Sequence, residues 1–240
     1  MQFETIAFVQ SPFKQKFAIP RQPNLVSEAR GSLRFTQGYC DDDLLRRLDE
    51  FSHLWLIFEF HATASQGWTP TVQPPRLGGK ERVGVFASRS PFRPNSLGLS
   101  VVENLGSRWE DRQLFLDVGG IDLLDGTPIL DIKPYVPYAD ALPHARGGYA
   151  QEQPARAHQV RFSEDAGRAL LIEEDRHPGL EALIRALLSQ DPRPAWRVKE
   201  EDDKQYGMAL YDLNIKWHIR GDVVTVGAIH RLEARSQPQP

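Results

Sequence analysis

The first 140 residues are divided into short apolar pieces with turn-forming residues between them. "TIAFV", "HLWLIFEF", "VGVFA", "LGLSVVENL", "RQLFLDV" and "PILDI" are rich in β-branched and aromatic residues and are bounded by Gly, Pro, Asn or Asp. Segments of that kind read as strands. Regular short strands with few helices between them point to an antiparallel barrel or sandwich, not to a βαβ layer. "SRWEDRQ", between two of the pieces, reads as a hairpin turn. One helix is expected in "DDDLLRRLDEFSHL", where Leu44, Leu45, Leu48 and Phe51 follow helical spacing. Its leading carboxylates suit the positive end of a helix dipole.

Composition shifts near residue 140. "YADALPHARGGYAQEQPARAHQ" is rich in Ala, Gly, Pro and Gln and reads as a linker. Two helical patterns follow. Ser163 is placed to cap "SEDAGRALLIEEDR". In "PGLEALIRALLSQ", Leu180, Leu183, Ile184, Leu187 and Leu188 form one apolar stripe, with Pro178 expected in the first turn. "YGMALYDLNIKWHI" and "VVTVGAIHRL" flank an "RGD" turn and read as a hairpin. The expected organisation is a mainly β domain over 1–140, a linker over 141–160 and a small α+β domain over 161–240.

The composition excludes several classes. Hydrophobic residues make up 40% of the 240 and charged residues 25%, which suits a packed core and argues against wholesale disorder. No apolar stretch approaches the roughly 20 residues of a membrane span. "MQFETIAFVQSPFK" has no basic segment followed by an apolar one, so no signal peptide is expected. Cys40 is the one cysteine, which rules out an internal disulfide and a thiolate metal cage and suits a reduced, cytoplasmic compartment. His53 and His61 flank one apolar piece and read as satisfied or substrate-facing imidazoles, so no metal is expected. No G-x-G-x-x-G follows a strand, and there is no P-loop, no G-x-S-x-G elbow and no H-E-x-x-H.

Charge is unevenly placed. The net charge is −3, yet residues 1–100 hold 12 Lys and Arg against 9 Asp and Glu. Within 73–96, Arg76, Lys80, Arg82, Arg89 and Arg93 face a single acid, Glu81. Such a local field steers anions even on an acidic protein. The same stretch holds "SRSPFRPNSLG", where Pro91 and Pro94 forbid a helix and stiffen the loop around Arg89 and Arg93. Three other runs draw notice. "FAIPRQPNL" sets Pro20 and Pro23 around Arg21 and Gln22. "GGIDLLDGTPILDIKPY" brings Asp122, Asp125 and Asp131 together around an Asp-Gly turn. Those carboxylates read equally as turn residues and as acceptors for a ligand's hydroxyl or amino donors. "DPRPAW" offers an acceptor, a cation and a flat face for stacking, or else a helix stop and a core Trp.

Taken together, "SPFKQKFAIPRQP", "FSHLWLIFEFH" with "PPRLGG", "GVFASRSPFRPNSLGLS" with "DGTPILDIKPY", and "DPRPAW" resemble the TsaA-like (TrmO) family of tRNA methyltransferases, in the family's order and over nearly the whole chain. That resemblance implies a single N-terminal antiparallel β-barrel, a smaller C-terminal domain and a homodimer. It implies methyl transfer from S-adenosylmethionine to the exocyclic 6-amino nitrogen of threonylcarbamoyl-adenosine at position 37 of threonine tRNA. Carried over residue by residue, the cofactor site draws on Arg21, Gln22, Pro23, Phe60, His61, Arg89, Leu99, Asp122, Leu123, Leu124 and Asp125. Lys80, Arg82, Arg93 and Asn95 are expected at the tRNA. Asp191, as proton acceptor, with Arg193 and Trp196, is expected at the chemistry, by analogy with Asp-Pro-Pro-aromatic motifs on an unrelated fold. Two positions depart from the family pattern: Ser96 stands where "RPNPIG" has its second proline, and Trp196 where the motif commonly ends in Tyr. The competing readings are a methyltransferase of this fold acting on another RNA or small molecule, and a barrel that binds single-stranded nucleic acid without catalysis.

Overall fold

The computed structural model describes residues 2–154, 158–193 and 204–232. The chain is mainly β with short helices. Six strands form the N-terminal sheet: β1 (Ala7–Gln10), β2 (Arg30–Phe35), β3 (His53–Glu59), β6 (Leu97–Glu110), β7 (Gln113–Gly119) and β8 (Pro128–Pro134). A two-residue pair, β4 (Thr71–Val72) with β5 (Val83–Gly84), stands apart from them. The six strands pair in the order β1-β2-β7-β6-β3-β8, and the ring closes where β8 returns to β1 through Ala7 opposite Ile129. Closure satisfies both edges of every strand, which removes the exposed edge an open sheet must protect.

Period-2 patterning decides which side chains fill the interior. In β3, Leu54, Leu56 and Phe58 point inward and are no more than 3% exposed, while the residues between them are only half-buried. β6 and β7 meet in a two-residue turn at Asp111 and Arg112, both in the left-handed region with φ 49 and 65. That twist suits a hairpin, although Asn-Gly would adopt it at lower cost.

The C-terminal unit packs α3 (Glu164–Glu174) and α4 (Leu180–Ser189) against a four-stranded sheet. Its strands are β9 (Gln159–Phe162), β10 (Tyr206–Leu210), β11 (Leu213–Arg220) and β12 (Val223–Arg231), in the order β10-β11-β12-β9. The Ser163 hydroxyl caps α3 by accepting from the Ala166 amide, as its position predicts. The two units share one apolar core. The Tyr211 amide donates to the Pro12 carbonyl at 2.7 Å, and the Gln190 side chain donates to the Leu25 carbonyl at 2.9 Å.

Several local expectations fail for identifiable reasons. The helix expected over 41–54 is two 3-10 turns, Asp42–Leu45 and Leu48–Glu50, separated by Arg47 at φ 66. Leu45, Leu48 and Phe51 still pack against the core and only Leu44 stays exposed, so the left-handed Arg47 breaks the helical ladder without losing the apolar contacts. "VGVFA" is a strand for two residues only and then turns at Val85–Ala87. "YGMALYDLNIKWHI" is two strands, split by Tyr211 at φ 53. Pro178 precedes the α4 cap, Gly179, instead of lying in the first turn. The stretch read as a linker is preceded by α2 (Pro137–Asp140), includes the start of β9 and lies against the barrel: Tyr149 donates to the Ala87 carbonyl, and Arg76 to that of Glu152.

Candidate active site

One end of the barrel opens into a cavity of about 840 Å³. Its walls come from the ends of β3 and β6, the first loop, the α1 turn (His61–Ala64), the proline-arginine loop and the segment before β8. Residues far apart in sequence meet there because the strands that carry them are neighbours: Phe58 pairs with Gly98 on one side and Ile129 on the other.

Most of the residues expected at a cofactor share this cavity. Arg21, Gln22 and Pro23 line one wall, and Phe60 and His61 another. Arg89 and Leu99 face them, with Asp122, Leu123 and Leu124 beneath. Arg93 and Asn95, expected at the tRNA, also line it. Arg89 donates to the Gln22 side-chain oxygen at 2.6 Å, which ties the two stiff loops together across the mouth. Arg93 folds back to donate to the Ser88 carbonyl at 3.0 Å. Asn95 and Ser96 both take left-handed backbone, φ 65 and 49, and the Ser96 amide donates to the Arg93 carbonyl. A proline could do neither, so Ser96 gives this chain a turn that the "RPNPIG" pattern does not allow.

Asp122 is the electrostatic centre of the cavity. Burial pushes its carboxyl up from 3.8 to about 6, against the opposing hydrogen bond from Ser100 and the charge of Arg89. The Ser100 hydroxyl donates to Oδ1 at 2.8 Å and is itself buried. Burial also lowers the Arg21 pKa, the charge of Asp191 opposes that fall and Arg76 adds to it.

Asp125 stands apart from these residues. It lies outside this cavity and faces a second hollow, where its carboxylate accepts from the Ser11 amide at 2.9 Å and pairs with Lys14 at 2.6 Å. Lys80 and Arg82 also lie outside the cavity; Arg82 is held on Thr71 at 2.8 and 2.9 Å, and both are exposed.

Asp191 and Arg193 do not line the cavity either. They form a buried bidentate ion pair, Nε to Oδ1 at 2.9 Å and the terminal nitrogen to Oδ2 at 2.8 Å, with His158 Nε2 3.5 Å from Oδ2. Burial pulls the Asp191 pKa upward, but Arg193 outweighs it and holds the carboxyl below the usual range. A carboxylate so engaged is a poor proton acceptor. The Arg193 carbonyl accepts from Arg21 at 3.3 Å, so within one chain the pair braces the cavity's first loop. Trp196 lies outside the described residues.

Sequence reasoning missed Gly98, Ser100 and Phe86. A Cβ on Gly98 would lie 2.3 Å from the Phe58 ring, so the glycine lets β6 pass close to it. A glycine inside a strand pattern is the signal that could have marked it. Ser100 had no such mark, and Phe86 was assigned to a strand.

The N-terminal part matches the family model described as the tRNA-methyltransferase O N-terminal domain over residues 8–141, and the C-terminal part matches the TrmO C-terminal domain over 155–232. The chain is 49% identical over 218 residues to the tRNA (adenine(37)-N6)-methyltransferase of Escherichia coli K12, covering 91% of this chain and 93% of that protein. It is 45% identical over 223 residues to a Pseudomonas aeruginosa protein that bears the provisional name S-adenosylmethionine-dependent methyltransferase RcsF, covering 92% and 94%. A crystal structure of TrmO from Pseudomonas aeruginosa superposes with a TM-score of 0.79 at 39% identity, covering 96% of this chain and 98% of that one. Two family domains spanning most of the chain, this degree of identity and a matching fold together establish that the chain belongs to the TrmO family.

Proposed function

We propose that this chain is an S-adenosylmethionine-dependent tRNA methyltransferase acting on the exocyclic 6-amino nitrogen of adenine 37. We further propose that the acceptor is threonylcarbamoyl-adenosine on threonine tRNA and that the protein works as a homodimer in the cytoplasm. The observation that carries the reading is the single cavity that gathers three proline-stiffened or carboxylate-bearing loops in a chain of this family. Among the described residues, no helix is long and apolar enough to cross a membrane.

The residues present fit the cofactor. The cavity joins an apolar floor, including Ile57, Phe58 and Leu123, to two carboxylates at Glu59 and Asp122, the Lys16 amine and three guanidinium groups at Arg21, Arg89 and Arg93. S-adenosylmethionine, when bound, supplies a methyl group on a positively charged sulfur, already activated for in-line displacement. The protein's task is positioning, which contributes up to roughly 7–11 kcal/mol in well-oriented systems. Arg21 and Arg89 suit the cofactor carboxylate, since guanidinium groups hold carboxylates in two-point geometry. Asp122 offsets positive charge within the cavity. Because it lines the cavity and Asp191 does not, Asp122 is the proposed acceptor for the amine proton, and a carboxyl raised to about 6 suits proton uptake near the working pH. Lys80 and Arg82 supply cationic contacts for tRNA phosphates outside the cavity.

The test is nucleoside mass spectrometry. Purified protein, S-adenosylmethionine and tRNA that carries threonylcarbamoyl-adenosine without the methyl group are expected to yield methylated threonylcarbamoyl-adenosine, and a deletion strain is expected to lose that nucleoside. Unchanged tRNA in both experiments refutes the reading. Methylation of tRNA that carries plain adenosine at position 37 restricts the error to the acceptor's form.

A further inference from the structure

Phe86 is an uncovered aromatic ring on a pinned backbone. Its side chain is 79% exposed. The turn that carries it, Val85–Ala87, is anchored by buried Val85. The Val85 amide donates to the Pro70 carbonyl at 3.0 Å, and its carbonyl accepts from the Ser88 hydroxyl at 2.8 Å. The Tyr149 hydroxyl donates to the Ala87 carbonyl at 2.8 Å. The ring is therefore presented by an ordered turn and is not merely part of a frayed loop.

A single exposed aromatic needs no explanation on its own. This one lines the same cavity as Arg89 and Arg93, and its exposure places it at the mouth. The surrounding chain from Arg76 to Arg93 holds five cations and one carboxylate. An aromatic face beside a cationic rim is the pairing that stacks a nucleobase while holding its flanking phosphates. The cavity behind the ring, about 840 Å³, is in the size range of small-molecule sites.

We propose that Phe86 is the stacking platform for the acceptor purine of the RNA substrate, fixing its plane at the cavity mouth. This rests on the methyltransferase reading above and adds to it a residue that touches substrate.

The experiment uses anticodon stem-loop hairpins with either threonylcarbamoyl-adenosine or an abasic nucleotide at the acceptor position. Binding to the wild-type protein and to the Phe86→Ala, Phe86→Leu and Phe86→Trp variants is measured by fluorescence anisotropy. Base–aromatic stacking is worth about 1–3 kcal/mol, so Ala and Leu are expected to weaken binding of the modified hairpin about 5- to 150-fold. Trp is expected to restore it. On the abasic hairpin all four proteins are expected to bind alike, and S-adenosylmethionine affinity by calorimetry is expected to stay unchanged throughout. A Leu variant equal to wild type overturns stacking, because apolar packing alone then suffices. A loss that persists on the abasic hairpin, or a shift in cofactor affinity, overturns contact with the acceptor base. Conversion of a wild-type dimer into monomers by Phe86→Ala in sedimentation assigns the ring to a second copy of the chain instead. Wild-type protein that shows the full stacking pattern but never methylates the hairpin retires the methyltransferase reading and leaves the stacking platform standing.

Discussion

Asp122→Asn is expected to stabilise the fold while disabling the site. Burial raises this carboxyl from 3.8 to about 6. A shift of about two units, at 1.36 kcal/mol each, is a folding penalty of ~3 kcal/mol once the group is ionised. The sign follows from proton uptake. The folded chain binds this proton more tightly than the unfolded chain, so the group's contribution to stability is fully present below its unfolded pKa. It is lost as pH rises through the folded value of about 6. Asn keeps an oxygen to accept from the Ser100 hydroxyl and carries no charge. The variant and wild type are therefore expected to be equally stable below about pH 4 and to diverge up to ~3 kcal/mol in the variant's favour by pH 7–8. Urea unfolding followed by Trp fluorescence at pH 4, 5, 6, 7 and 8 reads this difference directly. The other titrating groups cancel between the two proteins. Turnover on tRNA is expected to fall by about 10²–10⁴-fold, the usual range for loss of a general base. Stability curves that run parallel from pH 4 to 8 would refute the buried-charge argument, and retained turnover would refute the proton-acceptor role.

Arg89→Ala is expected to weaken S-adenosylmethionine binding about 10- to 100-fold, the worth of a hydrogen-bonded charge contact, as read by calorimetry. Unchanged affinity would remove Arg89 from the cofactor site. Lys80→Ala is expected to lower tRNA affinity and reduce the slope of log K against log salt by about 1, whereas an unaltered slope would contradict the phosphate contact. Asp191→Ala removes the bidentate carboxylate contact that Asp191 makes with the buried Arg193. Breaking such a pair costs about 3–5 kcal/mol, so a fall in Tm on the order of 10 °C is expected in calorimetry. A normal Tm combined with lost turnover would return Asp191 to the chemistry.

Local pattern predicted the strands that alternate strongly, such as β3 with Leu54, Leu56 and Phe58 inward. It missed β2, whose "RGSLRF" carries Gly, Ser and two Arg. That segment becomes a strand because β1 and β7 pair with its two edges. It also assigned a helix to 41–54, where apolar spacing was real but no surface lay beneath Leu44. Instead, the Trp109 indole holds the first turn by donating to Asp42 at 2.7 Å. The cofactor candidates came from the family resemblance, and the structure gathers most of them at one cavity. Phe86 and Ser100 were not legible, since exposure and partnership are properties of the assembled barrel.

The sequence by itself determined the mainly β class, the stiff cationic loops and the family, because periodicity, proline content and motif order are local or linear properties. Only the tertiary structure decided which charged groups meet. Asp122 and Asp125 stand three residues apart in one motif, yet one reaches Ser100 inside the cavity and the other reaches Lys14 outside it. Asp191 carries the right chemistry on paper and is consumed by Arg193. Strand closure brings distant segments together, and the direction of these loop carboxylates follows from turn geometry and packing that no linear spacing encodes.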